Sequence, residues 1–96
     1  MRTIAKIRIP VEAGNDGIRS GSLPTLIQQM AERWKPEAMY FTTFDGQRTA
    51  IVVFDMPDAS AIPEFAEPLF QGLNAEVLFS PAMNVEDLQK GLSQLG

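Results

Sequence analysis

Apolar residues along this chain change period several times, and each change marks an element. From Thr3 to Pro10 they alternate, with Ala5, Ile7 and Ile9 on one face of an extended segment and Ile4, Lys6 and Arg8 on the other. Pro10 ends this strand. The glycine-rich stretch VEAGNDGIRSGS that follows reads as a long connection with room for one turn of helix. The period then lengthens: Leu23, Leu26, Ile27, Met30 and Trp34 stand at helical spacing, with Gln28, Gln29, Glu32 and Arg33 facing outward. A helix capped by Ser22 is expected, with Pro24 tolerated in its first turn and Pro36 as its stop.

Ala38 to Asp55 carries the strongest local signal. Two aromatic and β-branched runs meet there at Asp45-Gly46, the dipeptide favoured by a two-residue type I′ hairpin turn. The turn fixes a register in which Phe44, Thr42, Tyr40 and Ala38 oppose Gln47, Thr49, Ile51 and Val53 on one face. Thr43, Phe41 and Met39 oppose Arg48, Ala50 and Val52 on the other. Both faces are substantially apolar. Beyond MPDAS, with Asp58 or Ser60 as cap, a second helix turns Ile62, Phe65, Ala66, Leu69, Phe70 and Leu73 inward. Pro63 suits its first turn, whereas Pro68 predicts a bend near Glu64 to Pro68, or two short helices. Asn74 closes that helix, Glu76 to Ser80 forms a last strand, and Pro81 ends it. Asn84 caps a final helix over residues 85–95, whose stripe is Val85, Leu88, Leu92 and Leu95. Gly91 weakens this helix by about 1 kcal/mol relative to alanine.

The order strand, helix, strand, strand, helix, strand is that of a split βαβ unit. The expected fold class is α+β: a ferredoxin-like β-α-β-β-α-β sandwich with a four-stranded antiparallel sheet of spatial order 4-1-3-2 and an extra C-terminal helix. Residues 1–96 form one domain. Right-handed crossovers place both main helices on one side of the sheet and leave the other side open. Four strands at ~4.8 Å by five residues at ~3.3 Å project roughly 300 Å² of partly apolar surface. A homodimer with its sheets face to face, forming an α+β barrel, is the simplest cover.

Composition narrows the chemistry. The chain has no cysteine and no histidine, which removes thiolate and imidazole catalysis and the commonest metal ligands, so neither a cofactor nor a metal is expected. Charge is uneven: residues 1–48 hold seven basic and five acidic side chains, and residues 49–96 hold Lys90 against seven acids. The net charge of −4 lacks the dense basic face that neutralises phosphates, so no nucleic-acid partner is expected. No run approaches the roughly 18 apolar residues of a membrane span, and Arg2, Lys6 and Arg8 stand where a signal peptide needs its apolar centre. A cytoplasmic protein without a membrane partner is expected.

Four polar residues stand out on otherwise apolar strands as candidates to line a small-molecule site: Arg8, Tyr40, Arg48 and Asp55. An arginine holds a carboxylate bidentately, which points to an acidic ligand. The segment GNDGIRSGS offers a second possibility, an anion cradle of backbone N–H groups with Ser20, Ser22 and Arg19. Its spacing matches no phosphate-loop or dinucleotide fingerprint, and a serine-capped connection is the simpler reading. Glu64, Glu67, Glu86 and Asp87 read as solvated helix residues.

The segments IRIPVEAG, GSLPTLIQQM, KPEAMYFT, RTAIVVFDM, IPEFAEPLF and FSPAMNVEDL cover essentially the whole chain. Their layout resembles small bacterial proteins of the ferredoxin-like, dimeric α+β-barrel superfamily. The superfamily includes antibiotic-biosynthesis-type monooxygenases, haem-degrading enzymes, muconolactone isomerases and stress-responsive barrels, which share a cleft between sheet and helices. The resemblance implies dimerisation more strongly than it implies a reaction. The haem-degrading members hold iron through a histidine, and this chain has none. The expected function is therefore a homodimeric barrel domain that binds a small aromatic or acidic organic molecule in its cleft. A cofactor-independent monooxygenase or isomerase and a purely structural dimerisation module are the alternatives.

Overall fold

Alternation and turn chemistry fix the sheet. A computed structural model describes Met1–Gly96 and shows an α+β fold with four strands and four helices. These are β1 (Arg2–Ile9), α1 (Val11–Ser20), α2 (Ser22–Trp34), β2 (Ala38–Phe44), β3 (Gln47–Asp55), α3 (Ile62–Leu73), β4 (Glu76–Pro81) and α4 (Val85–Ser93), with a short 3₁₀ turn at Ala59–Ala61. The strands form one antiparallel sheet in the order β2-β3-β1-β4. Asp45 and Gly46 both take positive φ, 53° and 76°, as a type I′ turn requires. The hairpin register is the one the turn dictates, with Thr43 opposite Arg48 and Tyr40 opposite Ile51.

Pairing with β1 assigns the faces. Ile9, Ile7, Ala5 and Thr3 oppose Arg48, Ala50, Val52 and Phe54, and of these eight all but Arg48 are buried. This face meets the helices. Ile4, Lys6 and Arg8, with Thr49, Ile51 and Val53, form the open face. The core between sheet and helices centres on an aromatic cluster. Phe54 and Phe65 stack with centroids 4.4 Å apart, and Trp34 meets both edge-on at 5.6 and 5.5 Å. Phe79 closes the far side of Phe65 at 5.5 Å.

Three local expectations are corrected. VEAGNDGIRS is a ten-residue helix and not a loose connection, so the crossover from β1 to β2 contains two helices. Glycine costs a helix about 1 kcal/mol relative to alanine, but here two glycines face inward and allow close packing. A Cβ on Gly17 would sit 3.0 Å from both Leu23 Cβ and Leu73 Cδ2. Gly21, at φ 84°, then separates α1 from α2, so Ser22 is the first residue of α2 and not its cap. Pro68 lies inside an unbroken α3. It is exposed, so the Glu64 carbonyl that its missing N–H leaves free is on the solvent side, where water can satisfy it.

The caps follow their chemistry. Asp58 accepts from the Ser60 hydroxyl and from its backbone N–H at 2.8 Å, and these two bonds hold its carboxyl below the ordinary aspartate range. Because the native value is lowered, the cap acts fully above the ordinary range and is lost as pH falls through the lowered one. Asn74 ends α3 in the left-handed region at φ 52°. Arg2 pairs with Glu37 at 2.5 Å, which raises its guanidinium further above an already high value.

Candidate functional site

The helix layer is narrower than the sheet. α3 packs closely against β4 and α1 against β3, while no helix comes as near to the edge strand β2. The helix-facing side chains of β2, namely Met39, Phe41 and Thr43, therefore line an open cleft of about 310 Å³ with Ile7, Ile9, Ala50, Leu23, Ile27 and Met30. Leu69 and Leu73 of α3 close its floor. Phe41 remains 56% exposed although it points to the helix side, which places the mouth along β2. The volume lies at the lower end of the ~300–1,000 Å³ typical of small-molecule sites.

Arg48 is the single ionisable side chain lining this cleft. Its guanidinium reaches α1, where Nη2 donates to Asn15 Oδ1 at 3.0 Å and Nη1 to the Val11 carbonyl at 3.4 Å. Gly14 makes the approach possible, because a Cβ there would collide with Arg48 Nη1. Of five N–H donors, two are engaged. Arg2, Arg8, Arg19 and Arg33 each have a carboxylate within 4.0 Å, and Arg48 has none. Thr43, its cross-strand neighbour on the same face, adds a hydroxyl.

The structure separates the four residues singled out from sequence. Arg48 alone lines the cleft. Arg8 lies on the open face, with Asp45 at 3.1 Å and Glu76 at 3.8 Å. Tyr40 lies on that face too, 69% exposed. Asp55 is at the far end of β3, paired with the Met1 ammonium at 2.6 Å. The GNDGIRSGS cradle is absent as drawn, since those residues are helical: Ser20 Oγ donates to the Gly17 carbonyl and Arg19 pairs with Asp16 at 3.7 Å.

Gly14 and Asn15 fall in the GNDGIRSGS segment, but their place beside Arg48 was not legible while α1 read as a loop. Met39, Phe41 and Thr43 were legible, since the hairpin register puts them on the face of Arg48. Gly14→Ala separates the guanidinium's position from the fold. The added methyl improves helix propensity by about 1 kcal/mol but displaces the Arg48 head from Asn15. Melting is expected to stay within a few degrees of wild type while binding of a carboxylate ligand weakens. A thermal melt and a binding isotherm on the same preparation check both halves.

No helix is long and apolar enough to cross a membrane. No known family model matches the chain, and no curated protein matches it at a significant level.

Proposed function

We propose that the chain is the subunit of a homodimeric α+β barrel whose sheet–helix cleft binds a small organic anion with an aromatic or similarly apolar body. One observation carries the ligand class: an arginine with no carboxylate partner and three free donors is the single ionisable group in a cleft lined otherwise by ten apolar residues and three threonines. A partly buried guanidinium gains most from a planar anion that takes two of its N–H groups together. Met30, Met39 and Phe41 suit the apolar remainder, because thioethers and aromatic rings contact a ring favourably from several directions.

The same lining favours recognition over acid–base chemistry. A guanidinium keeps its proton throughout the accessible pH range and is a poor general acid or base. Tyr40 and Asp55, which a cofactor-independent isomerase or oxygenase would draw on, lie outside the cleft. A cleft of 310 Å³ accommodates a monocyclic acid, which supports ligand binding over a purely structural module.

Benzoate and phenylacetate, compared with benzamide and phenylacetamide in a thermal-shift series, test the proposal. The acids are expected to raise the melting temperature and the isosteric amides are not, because a ligand at 100 times its Kd stabilises by about 2.7 kcal/mol. Equal effects from acid and amide, or none from either, would remove the anion reading.

A further inference from the structure

The cleft ends at a wall that a second cavity shares. α2 and α3 meet along a seam of three layers, in antiparallel order. At one end Leu26 approaches Gly72 so closely that a Cβ there would lie 2.9 Å from Leu26 Cδ1, and at the other Trp34 meets Phe65 edge-on at 5.5 Å. Met30 and Leu69 form the layer between. On its sheet side lies the cleft, of about 310 Å³. On its outer side lies a groove of about 180 Å³ to which no strand contributes, lined by Leu26, Trp34, Phe65 and Pro68 among others. Met30 and Leu69 are the only residues that line both.

Met30 stands at the end of the cleft remote from Arg48. Trp34 ends α2 and Ala38 opens β2, so the C-terminal end of α2 lies at the start of that strand, away from the hairpin turn beside Arg48. Leu23, near the other end of α2, packs against Gly17 of α1, the helix that holds the Arg48 guanidinium. The step from Leu23 to Met30 spans roughly 10 Å at ~1.5 Å per residue. Beyond the wall, the groove continues the apolar end of the cleft. Its one cation, Arg33, is already committed: Nε and Nη2 donate to the Glu64 carboxylate at 2.6 and 3.1 Å, and the guanidinium lies 4.3 Å from the Trp34 ring centre. An anion therefore finds its free donors at Arg48, and the groove offers Leu26, Trp34 and Phe65 to an apolar tail.

We propose that Met30 sets the length of the acid this cleft accepts, and that the outer groove is the space it withholds. A carboxylate seated on Arg48 extends its apolar body along the cleft until it meets the Met30 thioether, and a longer tail is buried only beyond that point. The inference rests on the anion-binding reading above and names the residue that divides short acids from long ones within it. Of the two wall residues, Met30 is the one that decides. Leu69 is branched, 3% exposed and closes the cleft floor, whereas Met30 is the single buried residue of α2 and reaches the seam on an unbranched, adaptable chain. Shortening that chain joins the two cavities while Leu26 and Trp34 still hold α2 against α3.

Wild type and Met30→Ala are titrated calorimetrically with phenylacetate and with ω-phenyloctanoate. The two acids are expected to move in opposite directions in the variant. Phenylacetate weakens, having lost the thioether contact, and ω-phenyloctanoate tightens by about tenfold or more, since each methylene newly buried is worth about fourfold. Trp34, the single tryptophan, lines the groove and not the cleft, so its emission reports a tail that passes the wall. The emission is expected to change with ω-phenyloctanoate in Met30→Ala and to stay constant in wild type. Met30→Val leaves a smaller void and carries the same expectation where alanine disrupts the fold. If phenylacetate binds the wild type but ω-phenyloctanoate binds neither variant more tightly, or does so without the tryptophan response, the length rule is overturned and the anion-binding cleft stands. A tryptophan response to the long acid in wild type also overturns it, because the wall then withholds nothing. A wild type that binds neither acid overturns both readings.

Discussion

Phe65→Ala is expected to lower the stability of the domain by about 3–5 kcal/mol, which is a large part of the 5–15 kcal/mol a domain of this kind possesses. The ring is 2% exposed and is held on three sides. Phe54 stacks on it at 4.4 Å, and Trp34 and Phe79 meet it edge-on at 5.5 Å. Truncation removes the burial of the ring and leaves three aromatic neighbours around a void they cannot fill, because each is anchored to a different element: α2, β3 and β4. The drop is expected as a lower denaturant midpoint at fixed protein concentration, with the slope unchanged. Phe70, on the same helix but 40% exposed, provides the contrast. Phe70→Ala should cost well under half as much. Equal losses at the two positions would show that the core does not centre on this cluster.

Arg48→Met is expected to weaken binding of an aromatic carboxylate by about 10- to 100-fold, since hydrogen bonds to a charged group contribute roughly 1.5–3 kcal/mol. Methionine keeps an unbranched apolar stem along the cleft wall and removes only the charged fork. The bonds to Asn15 and Val11 are lost as well, so a small drop in melting temperature accompanies the change. Arg8→Met is the control. Arg8 lies on the opposite side of the sheet, already neutralised by Asp45 and Glu76, and its replacement is expected to leave ligand affinity within about twofold, below 0.5 kcal/mol. Titration calorimetry of both variants with phenylacetate reads the difference directly. Equal weakening by the two substitutions would indicate a long-range charge effect and not a contact.

Much of the architecture was legible because short-range physics specified it. Asp45-Gly46 demanded one turn type, and that turn fixed every pair from Phe44–Gln47 to Ala38–Val53. Of the stripe read from helical spacing, Phe65, Ala66, Leu69 and Leu73 are buried, whereas Ile62 and Phe70 are each 40% exposed. The errors fall where tertiary packing overrides local preference. Gly14 and Gly17 read as loop residues because propensity counts only the cost of glycine in a helix. The close approaches of Arg48 and Leu73 that favour glycine there come from segments distant in sequence, and that of Leu23 from the neighbouring helix. Pro68 read as a helix breaker because the rule assumes an unsatisfied carbonyl, and solvent exposure lifts that assumption.

The site was legible in part for the same reason. Arg8, Tyr40 and Arg48 look alike in a strand pattern, and only the assignment of faces separates them. Alternation gives two faces, but which one meets the helices depends on burial that both faces of this hairpin invite. The β1 alternation carries a hint: one face holds Ala5, Ile7 and Ile9, and the other holds both Lys6 and Arg8. Followed through the sheet register, that contrast places Arg48 with the core and Arg8 with the open side. Asn15 had no such signal, since it meets the Arg48 guanidinium only when α1 is a helix.

The most direct test of the anion-binding cleft is a nuclear magnetic resonance titration of the protein with phenylacetate, following backbone amides and methyl groups together. Shifts are expected at Met39, Phe41, Thr43, Arg48 and Ala50, and at the methyls of Ile7, Ile27 and Met30, all of which line the cleft. They should be lost in Arg48→Met and absent with phenylacetamide. Shifts confined to Ile4, Lys6, Tyr40 and Leu78 on the open face, or undiminished in Arg48→Met, would contradict the account.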